Sequence, residues 1–194
     1  MKHFLPIAAV LVTGCAKPPL ATNHYYSLVL EAAAGRPTPK GVPSGARIDL
    51  VAVTLPDFLR SRSLVLQVNT NEVTHARHHH WGDPLDIAIR KVLAWDLSSE
   101  LPDLDIAPGT GRDADCTLTL EFDRFHASND ARVLVSGRYT LTRGDHVSRR
   151  EFDVSQVQQT DGYTSAVTAM RTALEALSDT MQPVVASCIS PASD

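Results

Sequence analysis

Imidazoles crowd one short segment, where His75, His78, His79 and His80 fall within a few residues of one another. Imidazole is a ligand for zinc, copper and nickel. A metal site needs ligands that converge on one point, with partners for the free ring nitrogens. Adjacent His78, His79 and His80 diverge on a strand and converge only in part on a loop. The nearest carboxylates are Glu72 and Asp83, and no cysteine is close. The segment therefore reads as a short extended piece followed by a solvated, histidine-rich connection, with no resident metal or other cofactor. Metal or ligand binding through His75 to His80, or in an apolar cleft under the first helix, is the alternative function. Serine, histidine and aspartate are plentiful, yet no Gly-x-Ser-x-Gly elbow exposes a nucleophile. Gly109-Thr110-Gly111 lacks the lysine and the strand-to-helix setting of a phosphate loop and reads as an ordinary turn. No catalytic residue is assigned, and the expectation is a non-enzyme.

Thiols offer a second chemistry. Lys2 and the apolar run Phe4 to Val12 are too short to span a bilayer but suit an export signal. Leu11-Val12-Thr13-Gly14-Cys15 ends that run and resembles the bacterial lipobox, in which a cysteine is acylated on sulfur before the signal is cleaved in front of it. An ordinary secretory signal with an incidental cysteine is the alternative, and the position of Cys15 at the boundary of the apolar run favours acylation. At about 0.8 kcal/mol per buried methylene, several acyl chains make a permanent anchor. Cys116 and Cys188 are then left as a pair. In an oxidising compartment they read as one disulfide between the start of a strand and the end of the last helix; two buried free thiols are the alternative.

The secondary structure that carries these groups is read from periodicity. Residues 1–14 are the signal, 15–23 a proline-bearing lipidated tether, 24–189 one domain and 190–194 a tail. His24 to Leu30 reads as a first strand, and Glu31 to Gly45 as a loop rich in proline and glycine. Arg47 to Leu55 alternates with apolar residues on both faces, so that strand is expected to be buried on both sides. After a turn at Asp57 to Arg60, Leu64 to Val68 returns as a strand antiparallel to its neighbour.

Trp81-Gly82-Asp83-Pro84-Leu85 announces a helix, with Asp83 as cap, Pro84 at the first helical position and Asp86 in the first turn. Its apolar stripe is Leu85, Ala88, Ile89, Val92, Leu93 and Leu97. It ends near Leu101-Pro102, and Asp103 to Asp113 reads as a polar loop. Cys116 to Phe125, Arg132 to Leu141 and Glu151 to Val157 alternate as an antiparallel meander with one wet face, where Glu121 and Asp123 lie across from Arg132, Arg138 or Arg150. Tyr163 to Cys188 has helical spacing, with Pro183 expected to kink or restart it. The fold class is α/β (α+β), a mixed, largely antiparallel sheet covered by two amphipathic helices.

Charge and hydropathy exclude some roles. A formal net charge of -4 gives no reason to expect a nucleic-acid partner, and no run after Cys15 is apolar for long enough to be a transmembrane helix. Tyr25 and Tyr26 point to opposite faces of their strand, so one is available for a partner. Trp81 is a candidate docking residue or a staple of helix to sheet.

With these marks placed, the chain resembles the PqiC/YmbA family, the auxiliary lipoproteins of ABC-type transport systems that work with MCE-domain proteins. The resemblance rests on the lipobox at Cys15, the Tyr25-Tyr26-Ser27-Leu28 strand, Leu55-Pro56 followed by Leu59-Arg60, and Trp81-Gly82-Asp83-Pro84-Leu85 leading into a helix. It implies a fold similar to the N-terminal domain of TolB and no catalytic residues. It also implies a lipoprotein on the periplasmic face of the outer membrane. Ala16 after Cys15 is similar to what sorting to that membrane prefers. The implied partners are an MCE-domain protein and ABC transporter components, which carry lipid between membranes. The histidine run and the Cys116/Cys188 pair depart from the family pattern.

Overall fold

The computed structural model describes residues 21–29, 45–109 and 113–188. Cys15 and the signal, most of the tether, the loop before Gly45 and the tail lie outside the described residues. Strands β1 (His24–Tyr26), β2 (Arg47–Thr54), β3 (Ser63–Asn69) and β4 (Glu72–Trp81) precede helix α1 (Leu85–Glu100). Then come β5 (Asp105–Ala107), β6 (Cys116–Ser128), β7 (Arg132–Arg143), β8 (His146–Val157) and helix α2 (Tyr163–Ala186). Among the described residues the strands make one eight-stranded mixed sheet.

The long strand β6 is its axis. On one edge it pairs antiparallel with β7, which pairs antiparallel with β8; these are the longest ladders in the sheet. On the other edge it carries two partners in succession, both parallel: β2 along Cys116 to Glu121 and β3 at Ala127 and Ser128. The β2–β3 connection is therefore not a hairpin. A 3-10 turn at Asp57–Leu59 lets the chain continue along β6 in the same direction, and the antiparallel neighbour of β3 is β4. Strand β1 then pairs parallel with the end of β4, and β5 pairs parallel with β2.

The helices cover one face. Strand β2 packs against α1, and β6, β7 and β8 against α2. The α1 stripe Leu85, Ala88, Ile89, Val92, Leu93 and Leu97 is buried as its spacing requires, and Ala94 joins it. Helix α2 buries Ala166, Val167, Met170, Leu174, Leu177, Met181 and Val185. Together with Ile48, Leu50, Leu118, Leu120, Phe125, Val133 and Val135 they form one apolar core. Cys116 and Cys188 are joined as a disulfide, with Cα atoms 6.4 Å apart across a sequence separation of 72.

Several local expectations are corrected. The first strand stops at Tyr26, because the Ser27 hydroxyl accepts the Val29 N–H at 3.2 Å and turns the chain into helical geometry at Leu28. Strand β2 is buried on both sides only over Ile48 to Leu50; Val51, at the bulge, is exposed. The stretch Asp103 to Asp113 holds the short strand β5, since Leu104 and Ile106 reach the core. Pro84, not Asp83, is the N-cap of α1: its ψ of 129° lies outside the helical range, and no side chain caps the helix. Helix α2 does not restart at Pro183 but continues to Ala186, the proline falling in the last turn.

Gly137 shows why the β6–β7 ladder needs a missing side chain. It faces the bulge between Phe122 and Arg124, and a Cβ there would lie 2.1 Å from the Glu121 carbonyl oxygen.

Candidate docking site

The histidines sit on a strand rather than in a connection. Strand β4 takes five steps from His75 to His80 where β3 takes two from Val65 to Ser63, so the run bulges away from β3 and its end pairs with β1. The rings then take separate partners. His75 Nδ1 lies 2.9 Å from Ser61 Oγ and His78 Nδ1 3.3 Å from Asn23 Oδ1. His79 Nδ1 lies 2.8 Å from the Tyr26 hydroxyl, and His80 Nδ1 3.5 Å from Ser63 Oγ. Among the described residues no three metal-ligating side chains converge. His79 is held below the usual histidine range, first by desolvation and then by His24, His78 and His80, any of which would repel its charged form. Ser61 and His75 have the spacing of a nucleophile and its base, but both are exposed and Ser61 follows a surface turn.

Of the aromatic candidates, Trp81 is 4% exposed and packs 6.4 Å from Phe125, so it is spent in the core and offers no docking surface. It lies at the end of β4, just before the chain enters α1. Tyr25 is 65% exposed, and Tyr26 is half-buried with its hydroxyl on His79.

A cleft of about 450 Å³ lies between the end of β2, the 3-10 turn and the start of α1. Leu55, Leu59 and Leu85 contribute buried apolar groups, and Arg60, Arg62, Asp83 and Asp86 bring both signs of charge. Backbone hydrogen bonds assemble it from distant segments. The Trp81 N–H donates to the Arg62 carbonyl at 2.6 Å and the Gly82 N–H to the Tyr26 carbonyl at 2.8 Å. Arg60 closes the turn, its Nε–H donating to the Leu55 carbonyl at 3.1 Å while its guanidinium lies 3.4 Å from Asp57. The segments around Tyr26, Leu55 to Arg60 and Trp81 to Leu85, remote in sequence, thus meet at one place. An apolar floor with a charged rim is the anatomy of a protein-binding surface. Sequence reasoning had each segment but not their convergence, and it missed Arg62 altogether, because an exposed arginine between serines carries no signal of its own.

The wet face of the meander forms a second, more polar groove. There Arg138 donates to Glu121 at 2.7 Å and Arg124 to Asp153 at 3.0 Å. No helix among the described residues is long and apolar enough to cross a membrane.

Comparison with known proteins places the chain in a family. Residues 26–182 match a family model described as the ABC-type transport auxiliary lipoprotein component. The chain is 30% identical over 167 residues to the intermembrane transport lipoprotein PqiC of Escherichia coli K12, covering 86% of this chain and 87% of that protein. It is equally similar to PqiC of Shigella flexneri. A crystal structure of an uncharacterized protein aligns with a TM-score of 0.72 at 27% identity, covering 84% of this chain and 99% of the other. One from Xanthomonas campestris shares the fold, with a TM-score of 0.61 at 12% identity over 79% of this chain and 89% of its own.

Proposed function

The chain belongs to the family of ABC-type transport auxiliary lipoprotein components, and on that basis we propose that it is a non-enzymatic docking subunit of an intermembrane lipid transport system. In this reading Cys15 carries the acyl anchor, the domain stands on the periplasmic face of the outer membrane, and an MCE-domain protein with its ABC transporter components is the partner. The name of its relatives speaks of intermembrane transport.

The observation that carries the reading is the cleft where Leu55 to Arg62 meets Asp83 to Asp86, with the Tyr26 carbonyl bonded behind it to the Gly82 N–H. Two of the segments that bear the family resemblance, Leu55 to Arg60 and Asp83 to Leu85, line one surface, as they would if that surface received a partner. Steering by its charged rim would set the rate of encounter, and the apolar floor the lifetime of the complex.

Affinity purification of the acylated protein from detergent-solubilised envelopes, with the co-purifying proteins identified by mass spectrometry, tests the proposal. Recovery of an MCE-domain protein and transporter subunits is expected. Arg62→Glu, which reverses an exposed charge on the rim, is expected to lower that recovery about tenfold while leaving the melting temperature unchanged. A preparation free of such partners overturns the proposal.

A further inference from the structure

The aromatic and imidazole rings at the β1 edge line it as a plate of two stacks, Tyr25 and His80 on one face and His24, Tyr26, His79 and Tyr163 on the other. His79 stacks on His24 at 5.0 Å and on Tyr163, at the start of α2, at 3.6 Å. Tyr26 stacks on the same ring at 5.8 Å, and Tyr25 lies over His80 at 5.7 Å. His24 and Tyr25 are exposed; Tyr26, His78, His79, His80 and Tyr163 are half-buried. Neither β1 nor the facing run His78 to Trp81 contains a carboxylate, although the whole chain carries a formal charge of -4.

We infer that this plate rests on the headgroup layer of the phospholipid bilayer to which the chain is tethered. The inference rests on the acylation of Cys15 proposed above. From Cys15 the chain reaches His24 in nine residue steps, at most about 30 Å when fully extended. A domain of this size has a radius of gyration of about 15 Å and is roughly 40 Å across. The tether is shorter than the domain is wide, so the β1 edge is held on the membrane side. What it presents there suits a headgroup layer. Phenol and imidazole rings combine an apolar body with a hydrogen-bonding tip, as side chains at membrane interfaces do. Phosphate oxygens can accept from both, and the paired β1 and His78–Trp81 segments, which carry no carboxylate, avoid the repulsion that the rest of an acidic protein meets at an anionic surface.

The test uses the mature protein in vesicles of phosphatidylcholine and phosphatidylglycerol containing a nitroxide-labelled headgroup lipid. The intact mass of each preparation first establishes the acylated N-terminal cysteine. Tyr25→Trp then reports from the plate and Val147→Trp from exposed β8, at the opposite end of the sheet, each read against the wild-type tryptophan emission. The added emission of Tyr25→Trp is expected to fall by about half on adding the nitroxide lipid, and that of Val147→Trp to stay unchanged. Adding His24→Glu and His80→Glu to Tyr25→Trp is expected to cut the quenching about twofold, because carboxylates now meet the anionic surface. Equal quenching at both reporters, or none at Tyr25→Trp in an acylated preparation, overturns the inference and leaves the anchor standing. A mature protein without acyl chains overturns both.

Discussion

At the scale of single residues, the most consequential group is a charge in the wrong place for its helix. Arg171 lies on the buried face of α2, 6% exposed, among Val167, Met170 and Leu174. Its guanidinium donates two hydrogen bonds to Asp96 of α1, at 2.8 and 2.7 Å, and reaches Glu175 at 3.3 Å. Burial pushes the Asp96 carboxyl up more strongly than these contacts pull it down, so the pair is held together at a desolvation cost. Arg171→Ala leaves that carboxylate buried and alone. A loss of about 3–5 kcal/mol in chemical denaturation is expected. Arg171→Met combined with Asp96→Leu is expected to recover most of it, because the second charge goes too.

One turn on, the Glu100 carboxyl is also pushed up, first by burial and further by Asp179 and Asp96. Below its ordinary value of 4.5 it is protonated whether the chain is folded or not, and its contribution to stability is fully present. As pH rises through the higher folded value, that contribution is lost. Glu100→Gln is therefore expected to match the wild type at about pH 4 and to melt slightly higher at about pH 7.5, as calorimetry at the two values would show.

Elements are held by pairings between distant stretches of chain. The Cys116–Cys188 bond ties the first residue of β6 to the end of α2 across a separation of 72 residues, so it fastens the helix layer to the axis of the sheet. Closing a loop of that length is worth about 4 kcal/mol in the chain-entropy account. Replacing both cysteines with serine is expected to lower the melting temperature by roughly 10 °C while leaving far-ultraviolet dichroism unchanged at 25 °C. Dithiothreitol is expected to do the same to the wild type. The β6–β8 meander was legible because Cys116, Leu118, Leu120, Phe122 and then Val133, Val135, Gly137, Tyr139 and Leu141 alternate strictly and are all buried. The strand β4 was not, because its burial does not alternate: Ala76 and Trp81 are buried and the intervening histidines half-buried around a bulge. The tiny strand β5 carries too few residues to show any period.

For the whole molecule, the proposed anchor decides where the domain acts rather than whether it folds. A version lacking residues 1–15 leaves every described element intact, and its melting temperature is expected to equal that of the mature protein. It is nonetheless expected to fail to restore membrane integrity at native expression, since tethering supplies the effective concentration at the partner. A complementation assay in a strain deleted for the gene reads this directly.

Whatever obeys local rules was already determined in the amino-acid sequence. Periodicity set the stripe of α1, most of that of α2 and the inward residues of β6 and β7, because burial of one face has the period of the element; in α2 the period placed Val184 inward where Val185 is buried. Pro84 marked the start of a helix through its backbone alone. The family resemblance at Tyr25-Tyr26, Leu55-Pro56 and Trp81 to Leu85 was readable too. How separated pieces meet was decided in three dimensions. That β3 continues β2 along β6 instead of folding back on it depends on non-local strand pairing. So do the cleft made by Leu55 to Arg62 and Asp83 to Asp86, the bond from Arg171 to Asp96, and the inward turn of Trp81. Each is a contact between residues far apart in the chain, and such contacts are selected by the packing of the whole core and not by any short stretch of residues.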